Sequence, residues 1–377
     1  MKILLRNIHL WLSVPLGIII TLVCFSGAAL VLEDEITRLS DPRLYRAGPS
    51  GRAPLTVDSV AATVARTLPE GVHVTGVTAS DDPTEAYRVS LSKPKRAAIY
   101  VNQYTGEING TAVRKPFFTA MFRLHRWLMD TGRPDGRPAW GKITVGVSTL
   151  LFVLALLSGV AVWWPRNGKA LRNSLKLTLH KGRFRLWHSL HVAGGMYALI
   201  ILLVMALTGL TWSFAWYRNA FYAAFGVKQE ARGGSHGDSS GKARSGRGHG
   251  DKAGHGQKAA AGHDVWQKVY DKLRAENPSS HAITVGDGTA SVSLGTTGNG
   301  RASDKYTFDR RSGRITSATP YAQSSPSDKL RGWIYAVHTG SFVGIITRIL
   351  WFLAALLGAA LPLTGYYLWF KRLSRKR

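Results

Sequence analysis

Five of the twelve histidines in this chain lie close to the ends of long apolar segments. There an imidazole is placed to ligate a metal inside a helix bundle. His9, His188 and His191 flank the starts of the first and third segments, and His125 and His338 lie on the approaches to the second and fourth. A haem iron takes two axial nitrogens from opposite faces, so a bis-histidine site needs one histidine from each of two facing elements at one depth. The chain offers this twice, as His9 with His191 and as His125 with His338. His188 precedes His191 by three residues on the same helix face and competes with it for the first site, although only His191 repeats the spacing of His9. Glycine lets a flat macrocycle approach a helix backbone; Gly159 and Gly365 are expected beside the first haem, Gly27 and Gly209 beside the second. Arg6, Arg123, Arg126 and Arg348 lie near the proposed ligands and are candidate partners for haem propionates. Arg348 also interrupts an apolar helix, a costly position for a charge.

The elements that must position these side chains are four spans. Leu10 to Leu32, Ile143 to Pro165, Val192 to Tyr217 and Ile349 to Phe370 carry no Asp, Glu, Lys, Arg or His, and each exceeds the roughly 20 residues that cross a hydrocarbon core. Lys and Arg concentrate on the cytoplasmic side of membrane proteins. Lys2 and Arg6, the seven Lys or Arg between Arg166 and Arg185, and the tail from Lys371 to Arg377 therefore place both termini in the cytoplasm of a bacterial-type inner membrane. The expected order is span 1 (1–32), an outer segment (33–140), span 2 (141–165), a basic inner loop (166–190), span 3 (191–217), a second outer segment (218–342), span 4 (343–370) and a tail (371–377). A cleaved leader would share the basic start and the small residues Ser26 to Ala29. The apolar run is longer than a leader core, and losing it would leave three spans.

The chain also repeats itself in outline. His9 precedes Ser26-Gly27 by the interval that separates His191 from Thr208-Gly209, roughly 27 Å of helix rise. Spans 2 and 4 end alike, with Ser158-Gly159 before Trp163-Trp164 and Thr364-Gly365 before Trp369-Phe370. In the outer segments, Val57 to Leu68 and Val265 to Leu273 read as amphipathic helices; Tyr87 to Leu91, Ala98 to Asn102 and Tyr306 to Asp309 read as strands. Turns at Thr105-Gly106 and Ser312-Gly313 follow, with Ile108 and Ile315 after them. The fold class is therefore α-helical membrane protein, with four transmembrane helices in two repeats and two small α+β outer domains. Residues 231–263 are rich in Gly, Ser, Lys, Arg and His and are expected as a disordered insertion; His236, His249, His255 and His263 would hold a metal only weakly there. His73, His180 and His281 carry no pairing signal.

The formal charge is +27, yet its densest blocks flank the apolar spans, so membrane lipid is the expected partner and nucleic acid is not. The lone cysteine, Cys24, excludes both a disulfide framework and covalent c-type haem attachment. No Gly-x-Gly-x-x-Gly follows a strand, so an electron donor must be a separate cytoplasmic protein, a quinol or a soluble reductant.

With Ile8-His9-Leu10-Trp11-Leu12, Leu124-His125-Arg126-Trp127, Leu190-His191-Val192-Ala193-Gly194-Gly195, Leu207-Thr208-Gly209 and the turns Tyr104-Thr105-Gly106-Glu107-Ile108 and Arg311-Ser312-Gly313-Arg314-Ile315, the chain resembles the PepSY-associated transmembrane proteins. Within them it is most similar to inner-membrane ferric-siderophore reductases of the FoxB type. The resemblance covers nearly the whole chain and implies two b-type haems, PepSY-like periplasmic domains, and an oxidoreductase that delivers electrons to a ferric chelate in the periplasm; the expected acceptor is a ferric siderophore docked between the outer domains. Two rival readings remain: a haem-free anchored protein whose outer domains bind peptides or chelates, and a transporter of two rocking repeats. The four spans lack the buried acids expected of the transporter.

Overall fold

The computed structural model of the protein describes residues 2–48, 50–94, 97–130, 139–178, 180, 182–228, 265–295 and 298–374. The Gly/His-rich stretch 231–263 and its four histidines lie outside the described residues. Two compact units emerge, one of residues 1–33, 116–242 and 333–377 and the other of residues 34–115 and 243–332.

In chain order the elements begin with α1 (Lys2–Val31) and the short helices α2 (Glu33–Ser40) and α3 (Pro42–Tyr45). Helix α4 (Val57–Ala65) leads into β1 (Val74–Ser80), β2 (Tyr87–Leu91), β3 (Ala98–Val101) and β4 (Ile108–Ala112). Next come α5 (Pro116–Trp127), α6 (Trp140–Trp163), α7 (Gly168–Ser174) and α8 (Arg183–Ser189). A π-helical turn, Leu190–Gly194, joins α8 to α9 (Gly195–Ser213), and α10 (Ala215–Ala224) follows. The last stretch holds α11 (Trp266–Glu276), β5 (Ala282–Gly286), β6 (Thr289–Ser293), β7 (Ser303–Phe308), β8 (Ile315–Thr319), α12 (Pro326–Thr339) and α13 (Ile345–Ser374).

Four helical stretches, Ile3–Val31, Trp140–Trp163, Arg183–Ser213 and Ile345–Ser374, are long and apolar enough to cross a membrane. The chain is thus a multi-pass membrane protein. Without water in the hydrocarbon core, backbone polar groups must be satisfied within each segment, and a helix does this. Helix α1 packs along α13 and α6, and α9 along α6 and α13. Ala198, Leu202 and Ala354 are nearly inaccessible beside Leu156, the small residues letting helices approach closely. Helix α1 begins seven residues before His9, so that histidine stands inside the helix instead of ahead of it.

The second unit is built on one antiparallel sheet in the order β4-β3-β2-β1-β5-β6-β7-β8. Each of the two outer segments set apart in the sequence contributes one helix followed by a four-strand meander, α4 with β1–β4 and α11 with β5–β8, and the meanders join through β1 and β5, with Val77 opposite Val285 and Gly76 opposite Gly286. A side chain at Gly286 would run into the Thr75 carbonyl oxygen, so the seam requires glycine there. Helices α4 and α11 share one core with both meanders, including Val60, Val64, Val77, Val89, Val269, Leu273, Ile283 and Val285. They also cap one another. The Asp58 carboxylate accepts the backbone N–H groups of Trp266 (3.0 Å) and Gln267 (3.1 Å), while Gln267 Oε1 accepts Val57 N–H (2.7 Å). Each helix thereby satisfies donors that its own first turn leaves open.

Candidate functional site

The first histidine pair lies in the helical unit. His9 projects from α1 onto α6, where its Nδ1 is 3.0 Å from the Ala155 carbonyl oxygen and 3.1 Å from Ser158 Oγ. A methyl group at Gly159 would sit 3.3 Å from His9 Cε1. His191 repeats this against α13, with Nδ1 3.1 Å from the Leu361 carbonyl and 2.8 Å from Thr364 Oγ1, and its Cε1 3.5 Å from where a Gly365 methyl would stand. The carbonyl, the hydroxyl residue and the glycine fall at positions i−4, i−1 and i, which share one side of a helix. The two ring centroids are 6.3 Å apart, with the ring planes at 77°.

The second pair uses the other two Ser/Thr-Gly steps. His125, from α5, places Nδ1 2.9 Å from the Val23 carbonyl of α1, and a Gly27 methyl would come within 2.9 Å of its Cε1. His338, from α12, sets Nδ1 3.0 Å from both the Met205 carbonyl and Thr208 Oγ1 of α9; the corresponding distance at Gly209 is 3.1 Å. These ring centroids are 6.2 Å apart at 53°, and Trp212 packs edge-on against His338 at 5.1 Å.

A carbonyl oxygen can only accept, so each Nδ1 carries the proton and donates it. Each Nε2 is left with a lone pair and, among the described residues, no protein partner. A backbone carbonyl bound to the far nitrogen is the usual way to fix the tautomer and orientation of a metal-binding imidazole. The spacing fits the same chemistry. A metal–imidazole bond is about 2.0–2.1 Å and the ring centre lies about 1.1–1.2 Å behind its nitrogen, so two rings on opposite sides of one metal stand roughly 6.3 Å apart. An edge-to-face contact between neutral rings spans a similar range, but it does not require all four Nδ1 groups to be tethered to carbonyls of neighbouring helices. Among the described residues, no three His, Cys, Asp or Glu side chains come together as a protein-only metal site. Two axial nitrogens per site is the number that a porphyrin iron leaves open.

A cavity of about 480 Å³ adjoins the first pair, lined by Gly159, Gly365, Tyr366, Trp163, Trp369 and apolar residues of the spans, with Arg6 and Arg372 also on its wall. Its volume is in the range of cofactor pockets. The residues here therefore fit a haem, which His9 and His191 would hold, with Arg6 and Arg372 on the wall near its carboxylates.

The remaining expected residues are distributed unevenly. His188 lines the same cavity, but its ring stacks on Phe184 (6.3 Å, 27°), while His191 is the residue that meets His9. The Arg126 guanidinium lies over the rings of Trp127 (5.0 Å) and Phe122 (5.6 Å). Arg123 is half-buried on α5. Arg348 donates through Nε to the Val31 carbonyl (3.0 Å), where a cation satisfies the exposed carbonyl end of α1. An imidazole edge stands beside each of the four glycines, and Gly159 and Gly365 also line the cavity next to the first pair. Two features escaped the sequence reading: Arg372 on the cavity wall, and the π-helical turn that holds His191. Such turns often mark functional positions, but no residue type announces them. The Ser/Thr-Gly steps were visible as a repeat; their role as Nδ1 acceptors needed the facing helix.

A family model described as the PepSY-associated TM region matches residues 6–372. No curated protein matches the chain.

Proposed function

Because the chain belongs to the PepSY-associated transmembrane family, we propose that it is a di-haem oxidoreductase of the bacterial inner membrane that moves electrons across the bilayer to a ferric siderophore in the periplasm. The observation that carries the proposal is the fourfold recurrence of one arrangement: a histidine whose Nδ1 donates to the carbonyl four residues before a glycine, with the four rings paired at 6.3 and 6.2 Å. With both termini cytoplasmic, as the basic flanks favour, the His9–His191 site faces the donor and the His125–His338 site faces the periplasm. Residues 9 to 27 of α1 span roughly 27 Å of helix rise between the two levels.

Haem iron bound at each site supplies a one-electron carrier. The chain holds the axial nitrogens at fixed tautomer and depth, and its apolar spans keep water from the path. The overall change takes one electron from a cytoplasmic protein for each ferric ion reduced, or both electrons of a quinol, with release of its two protons, for every two ferric ions. Oxygen-rich chelates hold hard ferric iron far better than ferrous iron, so reduction releases the metal. The FoxB-like motifs of the sequence favour this acceptor, and the eight-stranded sheet unit is the corresponding PepSY-like portion.

The test is a pyridine haemochrome count on the purified protein, wild type and with His9, His191, His125 or His338 changed to Ala. Two haems per chain are expected, with loss of one site in each variant, followed by ferrous-iron release from a ferric siderophore on dithionite-prereduced protein. A folded, colourless wild type from haem-replete cells would overturn the redox reading and leave a membrane-anchored binding protein.

A further inference from the structure

The four histidine tethers are not equivalent. Ser158, Thr364 and Thr208 each present a hydroxyl oxygen to a histidine Nδ1, at 3.1, 2.8 and 3.0 Å. At the fourth position the hydroxyl is directed elsewhere: Ser26 Oγ donates to the Leu22 (2.6 Å) and Val23 (3.0 Å) carbonyls, and His125 Nδ1 has the Val23 carbonyl alone. Burial does not separate these residues, since Ser26 and Thr364 are both inaccessible. Among the described residues, both rings of the His9–His191 site therefore donate to a carbonyl and a hydroxyl together, whereas only His338 does so in the His125–His338 site.

We infer that Ser158, Thr364 and Thr208 are positioning residues that set the reduction potentials of the two sites apart, making the His9–His191 site the more reducing one. The inference rests on the di-haem reading above. An Nδ1–H that donates to more acceptors makes its imidazole a more basic ligand, and a more basic axial ligand favours the ferric over the ferrous state. Ser158, Thr364 and Thr208 each also donate to a carbonyl of their own helix, at 2.9, 2.7 and 2.6 Å, and linked hydrogen bonds polarise one another; the sites differ in that both histidines of the first and only one of the second have such a hydroxyl. The gradient then runs from the His9–His191 site toward the His125–His338 site, so the direction of flow is written in which Ser/Thr hydroxyls reach a histidine. Back-bonding of Ser or Thr to its own helix is the competing structural role. Ser26 performs only that role and is the internal control.

The experiment is an equilibrium redox titration of the full-length protein in detergent, followed optically and by low-temperature electron paramagnetic resonance, with haem per chain counted first. His9→Ala and His125→Ala preparations assign the two potentials. Thr364→Val and Ser158→Ala are expected to shift only the His9–His191 potential to more positive values, and Thr208→Val only the other. Thr364→Ser and Thr208→Ser should restore wild-type values, Ser26→Ala should move neither, and the bis-histidine spectrum should persist throughout. Insensitivity of both potentials to Thr364→Val and Thr208→Val would overturn the inference. So would a Ser26→Ala shift as large as that of Thr208→Val, or a more positive His9–His191 site. A wild type with two haems and insensitive potentials refutes the inference alone, whereas a wild type without haem refutes the functional reading and the inference with it.

Discussion

Replacing each of the four histidine-facing glycines by alanine should produce effects ordered by the space available. A methyl group at Gly27 would stand 2.9 Å from His125 Cε1, at Gly209 3.1 Å from His338 Cε1, at Gly159 3.3 Å from His9 Cε1, and at Gly365 3.5 Å from His191 Cε1. Optimal carbon–carbon contact begins near ~3.5 Å, so Gly365→Ala is accommodated and Gly27→Ala is not. Alanine also gains about 1 kcal/mol of helix propensity over glycine, but that gain is the same with haem bound or free and leaves affinity unchanged. The overlap acts differently, because a histidine held by iron cannot swing aside as a free one does. Overpacking of this kind costs about 1–3 kcal/mol, which corresponds to roughly a 5–150-fold weaker haem affinity. Haem transfer to apomyoglobin, read as a dissociation rate for each site, and thermal melting in detergent measure the two contributions separately. Gly27→Ala should release the haem of the His125–His338 site fastest of the series, and Gly365→Ala should keep both haems and melt higher than wild type. Equal retention in all four variants, or faster loss from Gly365→Ala than from Gly27→Ala, would refute the view that these glycines exist to admit the imidazoles.

His188→Ala should retain two haems and the bis-histidine spectrum, whereas His191→Ala should lose the haem of its site; haemochrome counts on the pair decide which histidine is the ligand. Asp58→Ala removes the acceptor for two backbone N–H groups at the start of α11 and should destabilise the sheet unit by about 1–2 kcal/mol. Faster hydrogen exchange across 266–273 in the whole protein is the readout. The hydroxyl and backbone N–H of Ser312 hold the Asp309 carboxyl below its usual range. A carboxylate depressed in this way stabilises its turn above the unfolded pKa of about 3.9 and loses that contribution as pH falls through the lower, folded value. Exchange at 310–313 should therefore be flat through neutral pH after correction for intrinsic rates, and rise only in acid. Asp309→Asn should abolish the acid dependence.

The four spans were legible because apolar runs of that length have one soluble form in a bilayer, a helix with every backbone group satisfied internally. Helices over 57–65 and 266–276 were also legible from their apolar period, although α4 stops three residues earlier than the pattern suggested and α11 runs three further. Strands β1, β5 and β6 left no signal strong enough to be picked out, and β4 and β8 showed only their first residues, Ile108 and Ile315, after the turns. Strands β1 and β5 carry Gly76 and Gly286 at the seam, and β1 is buried on much of both faces, which hides its period; β5 and β6 do alternate, with Ile283, Val285, Ala290 and Val292 buried, but over only five residues each.

What the sequence determined by itself was the inventory: four membrane-spanning helices, histidines at two depths, and a Ser/Thr-Gly step on every span. Each follows from local composition and from the fixed rise of a helix. What only the tertiary structure decided was the pairing: that Gly27 faces His125, Gly159 His9, Gly209 His338 and Gly365 His191, and that two meanders close into one sheet through β1 and β5. Such partners lie far apart in the chain and are chosen by close packing and by hydrogen-bond groups that meet only after the helices and strands assemble. The same physics left Ser26 turned from its histidine while Thr208 reached its own. Those two steps look alike in the sequence, and the facing helix alone distinguishes them.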